Sequence, residues 1–188
     1  MSVKDFVQQR RDALIAMRRD FHMYPEPAWL EYRSAAKVAD RLISLGYDVA
    51  LGADVLDLDS RMGLPSDEVM KAAMDRAIEE GANLELVEKM GYGKTAIVAT
   101  MNFGGEGSVV AFRVDMDSND VIEAKEDNHV PTKKGFRSCH DKAMHACGHD
   151  AHMTMGLGLA EYLATHKDEF KGTIKPVSYT HLRAHETE

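Results

Sequence analysis

The sequence predicts a mixed α/β protein. Amphipathic segments with helical spacing alternate with short runs rich in β-branched residues, as in folds that pack helices on a sheet. Hydrophobic residues make up 44% and charged residues 29% of the 188 residues, which is ordinary globular usage. No apolar run approaches the roughly 20 residues that a membrane span needs. The length fits one domain and part of a second.

The charge balance and the cysteine count exclude several classes of protein. The chain has 23 Lys and Arg against 31 Asp and Glu, a net charge of −8. Such a chain is a poor candidate for binding nucleic acid or an anionic membrane, because both require neutralisation of phosphates. The N-terminus is charged and lacks the apolar core that a secretory signal would have. With only Cys139 and Cys147, no disulfide framework is expected. We therefore expect a cytoplasmic protein.

Five segments repeat apolar residues at helical spacing. Prolines follow the first segment, and Gly46 and Gly81 suit the position just after the second and third helices. Ser66 is placed to cap the third helix. Two glycines weaken the pattern of the last segment. The predicted helices cover Val3–Phe21, Glu31–Leu45, Asp67–Glu80, Leu84–Met90 and Asp150–His166.

Four shorter runs have the composition of strands. The second and third flank the turn-forming sequence NFGGEG, which predicts a β-hairpin. The charged segment from Asp115 to Arg137 has little periodicity and is predicted to be a long loop, a feature that is often functional in a compact domain. The predicted strands are Tyr47–Leu51, Ala96–Met101, Ser108–Val114 and Gly172–Lys175.

Residues 176–188 do not continue this pattern. They are polar and lack helical or strand spacing, and VSYTHLRAHE within them resembles the translation of a sequencing-library adapter. We therefore expect the native domain to cover residues 1–175 and residues 176–188 to be an adapter-derived tail. The alternative is a natural histidine-containing tail. His181 and His185 are accordingly not counted as ligands, and the natural protein is expected to continue past Lys175.

The densest group of metal-binding residue types is MHACGHDAH, residues 144–152. Histidine, cysteine and aspartate bind borderline transition metals. Cys147 and His149 are two residues apart, so their side chains point the same way in an extended segment. The group lacks the paired spacing of structural zinc sites and predicts half of a metal site that distant residues complete. The alternative is a buried thiol beside helix-capping residues, with Asp150 as the cap.

A second group of carboxylates follows the third predicted strand. Asp115 and Asp117 in FRVDMD share one face at the carboxyl end of that strand, where open α/β sheets place their chemistry. A carboxylate there can bind a metal or hold a ligating imidazole by its second nitrogen. A solvated loop start is the alternative. His22 lies at a helix end, where a cation interacts favourably with the dipole, and we interpret it as structural.

Together these segments resemble the M20 family of metal-dependent amidohydrolases and peptidases. The resemblance covers about residues 18–175 and rests on RRDFHMYPEPAWLEYRSA, SRMGLP, AFRVDMD and GFRSCHDKAMHACGHDAHMTMGLGLA. MHACGHD is specific to the amidohydrolase branch. The resemblance implies that residues 1–175 form the N-terminal part of an α/β, metallopeptidase-like catalytic domain, truncated within its sheet. It also implies a smaller dimerisation domain in the complete protein.

The resemblance further implies two bridged divalent ions, Mn²⁺ with Zn²⁺ as the alternative. It assigns Cys147 and His149 as metal ligands and Asp117 as the acidic residue that supports the metal site. Ser118 and Asn119 depart from the family's usual Ala-Leu. The resemblance leaves open the roles of Asp115, His145 and His152.

The implied reaction is hydrolysis of the amide bond of p-aminobenzoyl-glutamate, a folate breakdown product. The substrate would be a small N-acyl-glutamate, and a homologous second subunit is an implied partner. The family's Gln-Pro-Ala-Glu-Glu motif, which supplies the general base, is absent from these 188 residues, so we expect the chain as given to be inactive. The alternatives are another N-acyl-amino-acid amidohydrolase, or a non-catalytic fragment that binds a metal or a partner.

Overall fold

The predicted α/β class is confirmed by the computed structural model, which describes residues 1–179. Within these residues helices and strands are mixed along the chain. The helices are α1 (Val3–Met23), α2 (Tyr32–Ser44), α3 (Asp67–Glu79), α4 (Leu84–Met90), α5 (Val130–Lys133) and α6 (His149–Thr165). The strands are β1 (Asp48–Leu51), β2 (Ile97–Gly104), β3 (Val109–Asp115) and β4 (Gly172–Tyr179).

Local sequence signals predicted the ends of the five expected helices to within two residues. The Ser66 hydroxyl accepts a hydrogen bond from the Val69 backbone N–H at 3.4 Å, which is the predicted cap of α3. Gly46 and Gly81 follow α2 and α3 with φ of +85° and +87°, a backbone conformation that glycine adopts without a steric penalty. Short 3₁₀ turns lie in the segment after β1, and α5 interrupts the predicted long loop.

The predicted hairpin between β2 and β3 is wrong. The strand order in the sheet is β1-β2-β4-β3, so β4 lies between the two strands that flank NFGGEG. It pairs antiparallel with β2 and parallel with β3. Parallel strands need a long crossover connection, and α6 lies in the connection from β3 to β4. The glycines of residues 104–107 therefore reverse the chain without pairing the strands on either side.

The fourth strand also runs past the predicted end of the native domain. Residues 176–179 lie in β4, with Val177 paired to Val98 and to Arg113, so the strand predicted to start over Gly172–Lys175 continues through them. Pro176 occupies a position between two neighbouring strands, where a proline cannot donate a ladder hydrogen bond. The adapter origin of residues 176–188 stays a prediction, and His181 and His185 lie outside the described residues.

The core forms where α2 and α6 pack on the sheet. Tyr32, Met153 and Met116 are fully buried there, and the Tyr47 hydroxyl donates to the Ala160 carbonyl at 3.1 Å. Gly156 allows α6 to approach β3, because a Cβ atom at this glycine would lie 2.6 Å from Cγ2 of Val114. This close approach brings the N-terminus of α6 beside the carboxyl end of β3. No helix among residues 1–179 is long and apolar enough to cross a membrane.

Candidate metal centre

Two chain segments meet at the carboxyl end of β3. One follows the strand from Asp115, and the other runs from Met144 into α6. Asn119 and Met144 exchange two backbone hydrogen bonds of 3.0 Å, which hold the segments side by side. The Asn119 side chain also accepts from the Cys147 backbone N–H at 3.0 Å. Both carboxylates of FRVDMD therefore face the MHACGHDAH segment, as the topology of open α/β sheets favours.

His149 is oriented by Asp117. Its Nδ1 lies 2.8 Å from the Asp117 carbonyl oxygen and 3.0 Å from the Asp117 carboxylate. Both partners are acceptors, so Nδ1 carries a proton, and Nε2 is the atom that can bind a metal by giving up its own proton. Burial alone would lower the pKa of His149, but contacts with Asp117 and Cys147 outweigh it and raise the pKa to about 10.

A three-residue group of potential metal ligands forms around Asp115. Its Oδ2 lies 3.8 Å from Nε2 of His149 and 3.6 Å from Nδ1 of His152, and the two imidazole rings lie 5.0 Å apart. One ligand atom from each residue lies within 4.8 Å of the others. Arg113 also donates to Asp115, at 2.8 Å to Oδ1, so a cation bound here competes with that guanidinium.

Cys147 lies at the exposed rim of this group. Its Sγ is 3.8 Å from the Asp117 carbonyl oxygen, and its thiol contacts His149, where it contributes to the raised pKa. Cys147 is exposed and unpaired with Cys139. The structure thus places the predicted pair Cys147 and His149 side by side, with Asp117 holding His149. Their metal ligation stays a prediction.

His145, within the same segment, is buried. Both ring nitrogens lack a hydrogen-bond partner within the described part of the chain, and burial lowers the pKa of the imidazole to about 4. A neutral imidazole still carries one N–H donor, and leaving a buried donor unpaired costs about 1–3 kcal/mol. An unsatisfied group of this kind is unusual in a packed interior and marks a place where a further partner fits.

A second histidine, His22, links three parts of the site. Its Nδ1 lies 2.8 Å from Asp150 and its Nε2 lies 2.9 Å from Glu123, and all three side chains are buried. Because each nitrogen faces a carboxylate, the ring is an imidazolium; hydrogen bonds to both carboxylates outweigh burial and raise its pKa. Asp150 also pairs with Arg18 at 2.8 Å, and Glu123 pairs with His129 at 2.8 Å.

These contacts change two of the sequence interpretations. His22 is structural as predicted, but it acts through two buried ion pairs and not only through the helix dipole. Asp150 is not the N-cap residue, because α6 begins at His149; its Oδ1 accepts from the Ala151 backbone N–H at 2.8 Å in the first turn, while Oδ2 turns inward to His22 and Arg18. Glu123 is not distinguished by the sequence, since a carboxylate in a charged loop has no spacing that sets it apart.

Comparison with known proteins shows what this part of the chain is similar to. Residues 111–180 match the model described as Peptidase family M20/M25/M40. The chain is 44% identical over 173 residues to indole-3-acetyl-aspartic acid hydrolase of Enterobacter agglomerans, covering 92% of the chain and 40% of that protein. It is also 44% identical over 174 residues to one of the subunits of p-aminobenzoyl-glutamate hydrolase from Escherichia coli (strain K12), covering 93% and 40%.

A solved structure shows the same likeness. The chain superimposes on the aminobenzoyl-glutamate utilization protein from Klebsiella pneumoniae with a TM-score of 0.77 and 36% identity, covering 95% of the chain and 38% of that protein. The chain therefore spans about two-fifths of the length of these relatives.

Proposed function

We propose that this protein, whose residues 111–180 match the model of Peptidase family M20/M25/M40, is a member of that family and contributes part of the catalytic domain of a metal-dependent amidohydrolase. The observation that carries the proposal is the convergence of Asp115, His149 and His152 at the carboxyl end of β3. Cys147 and Asp117 border this group. Such a set of imidazole, carboxylate and thiol donors suits Mn²⁺ or Zn²⁺.

The distances test whether these residues fit a divalent ion. Two ligand atoms bound tetrahedrally at about 2.1 Å lie about 3.4 Å apart. The separations from Asp115 Oδ2 to the two imidazole nitrogens are 3.6 and 3.8 Å, so a small inward movement brings them to ligating positions. The family's pair of ions requires more donors than this group offers, and the buried His145 and the exposed Cys147 are the nearest further candidates.

The ions would supply activation of a water molecule and polarisation of the scissile carbonyl. The chain's own residues prepare that chemistry. Asp117 fixes His149 with Nε2 directed at the ligand group, and the imidazolium of His22 fixes Asp150 one residue further on. The general base lies outside these residues, since the Gln-Pro-Ala-Glu-Glu motif does not occur in the sequence. We therefore expect the 188-residue chain alone to be inactive.

The substrate class follows from the two relatives that share 44% identity with the chain. One is named for indole-3-acetyl-aspartic acid and the other for p-aminobenzoyl-glutamate. Both names describe an amide between an aromatic acyl group and an acidic amino acid. We propose that class for the complete protein, with p-aminobenzoyl-glutamate as the first candidate and indole-3-acetyl-aspartate as the second. A cytoplasmic location, where both thiols stay reduced, belongs to the same proposal, as does a homologous second subunit.

Hydrolysis by the complete gene product tests the proposal. After removal of metal and addition of Mn²⁺, it should release p-aminobenzoate from p-aminobenzoyl-glutamate, and His149→Ala should abolish that release. His166→Gln is the matched control, because His166 contacts the Tyr162 carbonyl and ring away from the metal centre. Metal-independent turnover, or full activity in His149→Ala, contradicts the proposal. Turnover by the 188-residue chain above a Cys147→Ala control contradicts the expected inactivity.

A further inference from the structure

A second group of metal-binding side chains lies at the C-terminal end of α3. Glu80, Cys139 and His140 each offer a ligand atom within 4.8 Å of the others. None of these residues belongs to the group around Asp115, and they come from different elements. Glu80 follows the last residue of α3, whereas Cys139 and His140 lie in the irregular segment between α5 and α6.

Both ring nitrogens of His140 face hydrogen-bond acceptors. Nδ1 lies 2.7 Å from the Pro25 backbone carbonyl oxygen, which can only accept, so Nδ1 carries a proton. Nε2 lies 2.7 Å from Oε1 of Glu80. Without a metal Nε2 is placed to donate to Glu80, and a cation bound between the two atoms would take the place of that proton. Histidine ligands of metals typically donate their other N–H to a backbone carbonyl or carboxylate, which is the arrangement of His140 and Pro25.

Glu80 provides a second indication of an additional partner. Its Oε2 is buried and has no hydrogen-bond partner among residues 1–179, although its side chain ends beside a thiol and an imidazole. Burial and the Glu80 charge both raise the pKa of the Cys139 thiol, so the protein alone does not stabilise a thiolate there. A divalent cation bound between these groups would satisfy the buried oxygen, accept the Nε2 lone pair and stabilise the thiolate.

We propose that Glu80, Cys139 and His140 bind one divalent cation of the zinc class, separate from the ions of the candidate metal centre. Cysteine, histidine and glutamate in a three-residue set match zinc chemistry, and the exposed side of Cys139 leaves a fourth position open to water. The cation ties the end of α3 to the segment that leads into MHACGHDAH. The Cys139 backbone N–H already donates to the Met23 carbonyl at 2.9 Å, so the site joins the end of α1 as well. This proposal does not rest on the proposed function.

Cobalt binding to a variant that lacks the first centre tests the proposal. In a Cys147→Ala/His149→Ala chain, Cys139 is the only thiol that remains, because the sequence has two cysteines. We expect this variant to bind one Co²⁺ with sulfur-to-cobalt charge-transfer absorption. Adding Cys139→Ser should abolish that absorption, and adding Glu80→Gln should weaken Co²⁺ binding by at least about tenfold. Absence of the absorption, or its survival in the Cys139→Ser variant, overturns the proposal.

A simple ion pair between an imidazolium at His140 and the Glu80 carboxylate is the competing explanation. It needs no metal and leaves Cys139 free to react. Alkylation of the Cys147→Ala/His149→Ala chain by iodoacetamide distinguishes the two and requires no change at Cys139. Protection of the thiol by stoichiometric Zn²⁺ supports the site, and equal alkylation rates with and without Zn²⁺ overturn it.

Discussion

Replacement of His22 by glutamine should destabilise the fold by about 3 kcal/mol. The imidazolium bridges two buried carboxylates, Asp150 at 2.8 Å and Glu123 at 2.9 Å, and breaking a buried ion pair costs about 3–5 kcal/mol. The lower value of this range applies because, without His22, Asp150 still pairs with Arg18 and Glu123 still pairs with His129. With a urea m-value of about 2 kcal/mol/M, the unfolding midpoint should fall by about 1.5 M.

The pH dependence of this effect has a definite sign. The folded-state pKa of His22 is raised above 6.5, so its stabilisation is fully present below about pH 6.5 and is lost as pH rises through the folded pKa. The pKa values of Asp150 and Glu123 are lowered, because hydrogen bonds and charges from their partners outweigh burial. Their contribution is lost as pH falls through those lowered values. The difference between wild type and His22→Gln should therefore be greatest between about pH 4 and 6.5.

Urea unfolding of both proteins across this range provides the measurement. His166→Gln serves as the matched control, since it removes one hydrogen bond to a backbone carbonyl and should cost only about 0.5–1.5 kcal/mol. Equal midpoints for wild type and His22→Gln would refute the bridging imidazolium. A difference that stays constant from pH 5 to pH 9 would refute its titration.

Two further predictions concern α6 and the candidate metal centre. Gly156→Ala should lower the melting temperature, because its Cβ would lie 2.6 Å from Val114 and overpacking costs about 1–3 kcal/mol. Gly158→Ala is the control and should cost less, because its Cβ would meet only the end of a leucine side chain at 3.2 Å. Asp117→Asn should weaken Mn²⁺ binding about 10–100-fold in equilibrium dialysis, because His149 keeps the backbone carbonyl acceptor but loses the negative charge that makes the imidazole a stronger ligand. Unchanged affinity would contradict that role.

The helices could be predicted from the sequence because their signals are local. Ser66 and Gly81 bound α3 whatever surrounds it, and α4 has its predicted limits. Strand order depends on pairing between distant segments, and nothing near NFGGEG indicates that β4 separates β2 from β3. Gly156 shows the same limit of prediction from local sequence. Its helical propensity is poor, yet contact with Val114 requires a residue without a side chain at that position.

The candidate site was likewise predictable where its residues are close in sequence and not where distant segments meet. Short spacings pointed to Cys147, His149 and Asp117, the family resemblance supplied their expected roles, and the structure brings them together. His152 carried a usable signal, because residues three apart on a helix share a face and His149 begins α6. Asp115 pairs with both histidines from a different element. No sequence spacing could have joined His22 to Glu123, which lies 101 residues away.

Buried polar contacts explain how the long segment between β3 and α6 holds a defined shape with little regular structure. Glu123 is fully buried and accepts from His22, from His129 and from the Ser138 backbone N–H at 2.5 Å. The Ser138 hydroxyl donates to the Ala143 carbonyl at 2.8 Å, one residue before the strand-like bridge to Asn119. Because these contacts replace an apolar core, losing one buried charge leaves others unpaired. The geometry of the metal centre therefore depends on α1, which supplies His22 but no residue of the group around Asp115.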